Sequence, residues 1–122
     1  MPPQLSKKKS VDVASAILDM DRHWSTLFGE LELNDLNYSD LFIQMWLKRD
    51  QPLRKTSLYE FMPGISRRTA VKYVQELIDR GLLEETDAEE DRRVRFVGLS
   101  TDIETRLERF LRYAHERFNR LN

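Results

Sequence analysis

Residues 57–83 read SLYEFMPGISRRTAVKYVQELIDRGLL, and this stretch predicts two short helices joined by a sharp turn. Ser57 and Glu60 stand three residues apart, which is the spacing of a capping box, so the first helix is expected to begin at Ser57. Pro63-Gly64 cannot continue that helix, because proline lacks a backbone N–H and glycine readily adopts a positive φ. Helix, turn and helix within about 25 residues have the form of a helix-turn-helix unit.

The second helix of this unit is expected to run from Ser66, a favourable N-cap residue, to Arg80. Gly81 follows its last turn directly and suits the left-handed C′ position that ends many helices. One face of the helix is apolar at spacings of three and four residues and consists of Ala70, Val74 and Leu77. Its N-terminal half carries six polar or basic side chains, which are Ser66, Arg67, Arg68, Thr69, Lys72 and Tyr73.

This polar and basic end suits a helix that enters the major groove of DNA. Arginine can donate two hydrogen bonds to a guanine, while serine, threonine and tyrosine reach bases or phosphates. Residues 48–80 hold eight basic and four acidic side chains, although the whole chain has a net charge of −1. A charged first turn can also do no more than keep an exposed helix in water. The elements that follow favour the DNA-binding interpretation.

Two extended runs follow this helix and lie on either side of a mainly acidic segment. The runs span residues 82–86 and 92–99. In the second run Val94 and Phe96 face opposite to Arg93 and Arg95, as alternate positions of a strand do. A two-stranded hairpin is therefore expected, and a hairpin directly after a helix-turn-helix unit is the wing of a winged helix-turn-helix.

Both ends of the chain carry an apolar stripe at helical spacing. The N-terminal stripe consists of Val13, Ile17, Met20, Trp24, Leu27 and Leu31, and the C-terminal stripe of Ile103, Leu107, Phe110, Ala114, Phe118 and Leu121. Thr101 and Glu104 repeat the capping-box spacing, so the last helix is expected to begin there. Residues 39–49 predict a further, buried helix, ended by Pro52. Two amphipathic helices at opposite ends of a short chain need a cover for their apolar faces, and a second subunit is the simplest cover.

Residues 57–101 resemble the signature of MarR-type transcriptional regulators. That family has a helix ending in L-x-x-x-G-L, a wing carrying D-x-x-D-x-R, and an L-T pair that opens the next helix. The residues that carry the resemblance are Thr69-Ala70, Val74, Leu77, Gly81-Leu82, Asp87, Asp91, Arg92, Arg93 and Leu99-Ser100. The resemblance implies that Asp91 fixes the wing and that its arginines reach the minor groove or the DNA backbone. We predict that Arg95 contacts DNA from the wing together with Arg92 and Arg93.

The predicted fold is mainly α with a small β-hairpin wing, a winged helix-turn-helix flanked by N- and C-terminal dimerisation helices. We expect a disordered basic arm over residues 1–9 and a single domain over 10–122. This domain comprises a dimerisation helix at 10–33, a DNA-binding lobe at 38–99 and a second dimerisation helix at 100–122.

The predicted function is regulation of transcription by sequence-specific binding of double-stranded DNA. A homodimer would bind a palindromic operator, with the recognition helix 66–80 in the major groove and the wing 82–99 on the backbone or minor groove. The alternative is a winged-helix module that binds another protein and no DNA, which the near-neutral net charge and the acidic segment favour.

Other functions find little support in the sequence. The chain has no cysteine, no nucleophile motif and no glycine-rich phosphate loop, so we expect no enzyme and no cofactor. His23 and His115 are more readily explained by surface or packing roles than by a metal site. Trp24 and Trp46 are expected in the core, with a pocket for a small aromatic effector as the alternative. No apolar run approaches the ~18 residues of a membrane span, so the cytoplasm is the expected location.

Overall fold

The structure is a computed structural model that describes residues 4–87 and 93–121. This part of the chain forms the α-helices α1 (Lys7–Phe28), α2 (Leu36–Leu47), α3 (Lys55–Leu58), α4 (Arg67–Asp79) and α5 (Thr101–Asn119), and the strands β1 (Leu83–Asp87) and β2 (Arg95–Leu99). The predicted fold, mainly helical with a small hairpin wing, is confirmed. The chain divides into two compact units, residues 1–34 with 108–122 and residues 35–107.

Helix α2 forms the centre of the second unit. It begins after Asp35, whose carboxylate accepts a hydrogen bond from the backbone N–H of Asn37 at 2.8 Å. Leu41, Phe42 and Met45 are almost completely buried. The predicted buried helix at 39–49 is thus present, although it begins three residues earlier and ends at Leu47.

The helix-turn-helix begins two residues earlier than the sequence predicts. Helix α3 starts at Lys55, and the N-cap residue is Arg54, which makes no side-chain capping bond. The prediction of a capping box formed by Ser57 and Glu60 is therefore wrong. A single 3₁₀ turn, Tyr59–Phe61, continues α3 up to the Pro63-Gly64 turn.

Helix α4 has the predicted bounds and caps. The Ser66 hydroxyl accepts a hydrogen bond from the Thr69 N–H at 3.2 Å, and Gly81 has a φ of 74° at the other end. Its buried residues are Ala70, Val74 and Leu77. The apolar face that holds α4 in the lobe therefore leaves its basic side chains on the outside.

The hairpin is anchored at its root. Strands β1 and β2 pair antiparallel, with Leu83 opposite Leu99 and Asp87 opposite Arg95. Leu83 and Val97 are buried, and the Val97 N–H donates to the Leu53 carbonyl at 2.9 Å. The strands begin and end within three residues of the predicted runs. Residues 88–92, which hold most of the acidic segment and the wing residues Asp91 and Arg92, lie outside the described residues.

Both long helices begin at a serine cap. The Ser6 hydroxyl accepts from the Lys9 N–H at 3.1 Å, so α1 starts at Lys7, and the prediction of a disordered arm over 1–9 is wrong for residues 7–9. The buried Ser100 hydroxyl accepts from the Ile103 N–H at 3.2 Å. Ser100, rather than Thr101, therefore caps α5, and the second capping box is wrong as well.

Trp24 is the central aromatic residue of the first unit. Its ring stacks on Phe28 with 4.0 Å between centroids and meets the edge of Phe110 at 5.1 Å. Its indole N–H donates to the Leu33 carbonyl at 2.9 Å, which satisfies the buried polar group. An ion pair at 2.9 Å between Arg117 and Asp19 also joins α5 to α1.

The apolar stripe of α1 is covered along only half of its length. Trp24 and Leu27 are 6% and 9% exposed, whereas Val13 and Ile17, on the same stripe, are 37% and 55% exposed. Leu18 is also exposed. The N-terminal half of α1 thus presents large apolar side chains to water. None of the described helices is long and apolar enough to cross a membrane.

Candidate nucleic-acid interface

The outward face of α4 is basic. Arg67, Arg68 and Lys72 are exposed, while the opposite side of the helix is fixed in the core by Ala70, Val74 and Leu77. Burial of this apolar face fixes the rotation of α4 about its axis, because an amphipathic helix buries one stripe and presents the other. The structure therefore places Arg68 and Lys72 together on the solvent-facing side of α4, with Arg67 exposed in the first turn beside the buried stripe.

Ser66 and Thr69 are engaged with each other at the start of α4. The Ser66 hydroxyl accepts from the Thr69 backbone N–H and also donates to the Thr69 hydroxyl at 3.0 Å. Both serve first to close the helix N-terminus, where unpaired N–H groups and a partial positive charge favour an anion. Ser66 remains exposed and Thr69 half-buried.

Aromatic neighbours hold two of the predicted site residues. Tyr73 stacks on Tyr38 of α2 with 5.1 Å between ring centroids and 12° between planes. The Arg67 guanidinium lies over the Tyr59 ring at 5.1 Å, a cation–π contact. The predicted interface residues on α4 are thus supported from α2 and from the turn after α3.

Tyr38 is a supporting residue that the sequence did not reveal. It lies half-buried on α2, and its partner Tyr73 is 35 positions away in sequence, so no spacing pattern connects them. Burial raises the pKa of the Tyr38 phenol, and Tyr73, Glu76 and Asp35 nearby raise it further. Tyr38 therefore stays protonated and can pack against Tyr73 without introducing a charge.

The wing arginines are placed differently from one another. Arg95 pairs with Asp87 directly across the hairpin and with Glu85 at 3.5 Å, so two carboxylates of β1 hold its guanidinium. Arg93 is exposed in the turn before β2. Arg92 lies outside the described residues.

A polar network missed by the sequence connects α3, α4 and the wing. The Lys55 ammonium donates to the Gln75 side-chain carbonyl at 2.8 Å and pairs with Glu85 at 3.3 Å. Glu85 thus lies between Lys55 and Arg95. The partners are 20 and 30 positions from Lys55, and only the fold brings them together.

The other candidate residues have structural partners. His23 stacks on Tyr113 at 3.9 Å, and the His115 ring is 3.2 Å from the Asn119 amide nitrogen. Trp46 is half-buried, with the Arg49 guanidinium 4.3 Å from its ring centroid. Within residues 4–87 and 93–121, no three histidine, aspartate or glutamate side chains are grouped as metal ligands would be.

A helix-turn-helix with a hairpin wing and flanking helices defines the winged helix-turn-helix class of proteins. No protein-family model matches the chain, and no curated protein is significantly similar to it in sequence. Its fold is that of the MarR-family transcriptional regulators, as comparison with solved structures shows.

Three solved structures illustrate this likeness. The transcriptional regulator Tm0710 from Thermotoga maritima has a TM-score of 0.61 and 15% identity over 93% of this chain and 78% of that one. Sco3205, a MarR family transcriptional regulator from Streptomyces coelicolor solved in complex with DNA, has a TM-score of 0.57 and 19% identity over 100% and 81%. BpsR from Bordetella bronchiseptica, whose DNA binding is regulated by 6-hydroxynicotinic acid, has a TM-score of 0.51 and 20% identity over 98% and 82%.

Proposed function

We propose that this protein regulates transcription by binding double-stranded DNA as a homodimer. The observation that carries the proposal is the exposed basic face of α4, which lies on the recognition helix of a winged helix-turn-helix. The fold is shared with Sco3205, whose structure contains DNA. Cations on the recognition helix supply both base contacts and phosphate contacts, which are the two components of specific binding.

Within this proposal α4 enters the major groove. Arg68 and Lys72 lie near the middle of its outward face and would meet base edges, because the first turns of a recognition helix point into the groove. The other contact residues on this helix are Ser66, Arg67, Thr69 and Tyr73. The stacked Tyr38 would limit the motion of Tyr73 and so lower the entropy lost on binding.

The wing would lie along the backbone or in the minor groove. Arg93 and Arg95 would contribute from β2 and the turn before it, together with Arg92. Because Asp87 and Glu85 already partner Arg95, some of its N–H donors are used within the wing, which should reduce its contribution to affinity. The acidic residues of β1, Glu85 and Asp87, would thus hold Arg95 in position.

The homodimer would cover the exposed half of the α1 stripe. Val13, Ile17 and Leu18 on α1, and Phe118 on α5, are large apolar side chains that water covers in the single chain. Burying such groups against a second copy is favourable by about 25 cal/mol for each Å² removed from water. A two-fold dimer would present two recognition helices about 34 Å apart, which matches a palindromic operator.

The salt dependence of binding tests whether DNA is the partner. The logarithm of the duplex association constant should fall linearly with the logarithm of salt concentration, at about 0.9 for each phosphate neutralised. Fluorescence anisotropy with labelled duplexes of about 30 base pairs measures this slope. A chain with no duplex affinity at low salt would instead be explained by the interaction-module alternative.

Two further expectations belong to this proposal. The cytoplasm stays the predicted location, since a regulator of transcription must share a compartment with the DNA that it binds. Regulation by a small aromatic effector remains a prediction, and the regulation of BpsR by 6-hydroxynicotinic acid makes that compound the first probe to add to the anisotropy assay. An effector would change the affinity for the operator, whereas an inert compound would leave it unchanged.

A further inference from the structure

A second basic surface lies beside the recognition helix, in a cleft between the start of α3 and the return strand of the wing. Its volume is about 340 Å³, and it is lined by Arg54, Lys55, Thr56, Arg93, Val94 and Arg95. Four of these six side chains are cations. We refer to this group of residues as the basic cleft.

The backbone fixes the two sides of the basic cleft together. Arg54 forms an isolated antiparallel bridge with Phe96, and the adjacent Leu53 carbonyl accepts the Val97 N–H at 2.9 Å. The segment before α3 therefore lies alongside β2 as a short additional pair. Since Arg54 is opposite Phe96 in this antiparallel pair, Lys55 comes opposite Arg95, although about 40 residues separate the two in the chain.

Carboxylates hold two cations of the basic cleft, Lys55 and Arg95, in place. Glu85 lies 3.3 Å from the Lys55 ammonium and 3.5 Å from the Arg95 Nε. An ammonium has three N–H donors and a guanidinium has five, so these contacts with Gln75, Glu85 and Asp87 use only some of them. Lys55 and Arg95 are thus positioned while keeping donors for a further acceptor.

The balance of charge favours an anion. Lys55 and Arg95 pair with the carboxylates of Glu85 and Asp87, and Arg54 adds a further positive charge at the edge of the basic cleft. Arg54 and Arg93 are both exposed at its edge. The volume accommodates a phosphodiester group with several waters, since a water molecule occupies about 30 Å³ in the liquid.

We propose that the basic cleft binds a phosphodiester of the DNA backbone next to the groove that α4 enters, with Arg54 as its principal exposed contact. This inference rests on the proposed function, and it assigns phosphate contacts to Arg54, Lys55 and Thr56, which precede the recognition helix. Such contacts position the protein on the duplex and carry no sequence information of their own.

The test compares Arg54→Gln with Arg109→Gln, which removes the same charge from an exposed position on α5. The Arg54 side chain is exposed and only its backbone pairs with β2, so the variant should fold normally. Binding is measured over a range of salt concentrations on a duplex selected from a random pool and on a shuffled duplex of the same composition. Arg54→Gln should weaken binding to both by the same factor and reduce the salt slope by about 0.9 for each subunit bound.

A chemical scan of the duplex locates the contact. Neutral methylphosphonates replace the backbone phosphates one position at a time. Replacement of the contacted phosphate should weaken duplex binding by the parent protein. The same replacement should cause no further loss of binding by Arg54→Gln. The cleft assignment is overturned if Arg54→Gln binds like Arg109→Gln, or if its loss is confined to the selected duplex. In either case Arg68→Ala still reports whether α4 binds DNA, whereas a parent protein without duplex affinity would overturn the proposed function as well.

Discussion

Individual residues show why some caps could be predicted and others could not. Ser66 follows the Pro63-Gly64 turn, where proline cannot continue a helix, so its place at the start of α4 could be predicted from local sequence. Ser57 has the right spacing to Glu60, but the chain is already helical there because Arg54 is held by β2. A long-range backbone pairing thus decides where α3 begins, and no local pattern contains that information.

Arg68 is the residue at which sequence-specific binding is tested most simply. It is exposed on the middle of the outward face of α4, so truncation should leave the fold intact. We expect Arg68→Ala to weaken binding to the selected duplex by about 1–3 kcal/mol and to lower the preference over a shuffled duplex. Anisotropy titration of both duplexes measures the effect, and Arg109→Ala on α5 is the control for loss of one charge. Equal affinities for parent and Arg68→Ala would remove α4 from the recognition role.

At the scale of elements, periodicity predicted α4 and the hairpin well because both are governed by neighbouring residues. The apolar residues Ala70, Val74 and Leu77 define the buried face of α4, and Gly81 ends it. The contacts between elements were not predictable in the same way. The Tyr38–Tyr73 stack and the Lys55–Glu85 ion pair join positions 35 and 30 residues apart, and they depend on how α2, α3 and the wing pack.

Gly81 connects α4 to the wing and is expected to be sensitive to substitution. Its φ is 74°, and a Cβ there would meet no atom within 4 Å, so the cost of alanine is backbone strain rather than collision. We expect Gly81→Ala to lower the free energy of unfolding by about 1–2 kcal/mol. Gly98 on β2 also has open space around it but no positive φ, so Gly98→Ala is the matched control. Urea denaturation followed by circular dichroism distinguishes them, and equal stabilities would contradict the assigned backbone conformation.

For the whole molecule, the sequence indicated two apolar helical stripes that need a cover, and the structure shows which part of one stripe lacks it. Trp24 and Leu27 are covered within the chain, whereas Val13 and Ile17 are exposed. Hydrophobic spacing alone could not make this distinction, because it predicts the direction in which a side chain points and not which surface meets it. The exposed half of α1 is the basis for the proposed homodimer.

Ile17→Glu should separate the subunits. The side chain is 55% exposed in the single chain, so a carboxylate can be solvated there without unfolding the monomer. In a dimer the same carboxylate would be buried without a partner, which costs about 1–3 kcal/mol or more. Sedimentation velocity should therefore show a dimeric parent and a largely monomeric variant. Leu47→Glu places the same charge at another exposed leucine, on α2, and should leave the dimer intact. A parent that sediments as a monomer would contradict the proposed assembly.

The central claim is that α4 recognises DNA in the context of a two-fold dimer. The most direct test is the selection of bound duplexes from a random pool by the parent protein, followed by sequencing of the recovered DNA. The account predicts a palindrome whose half-sites are centred about one helical turn apart, near 10 base pairs. Recovery of unrelated sequences with no shared motif would contradict it.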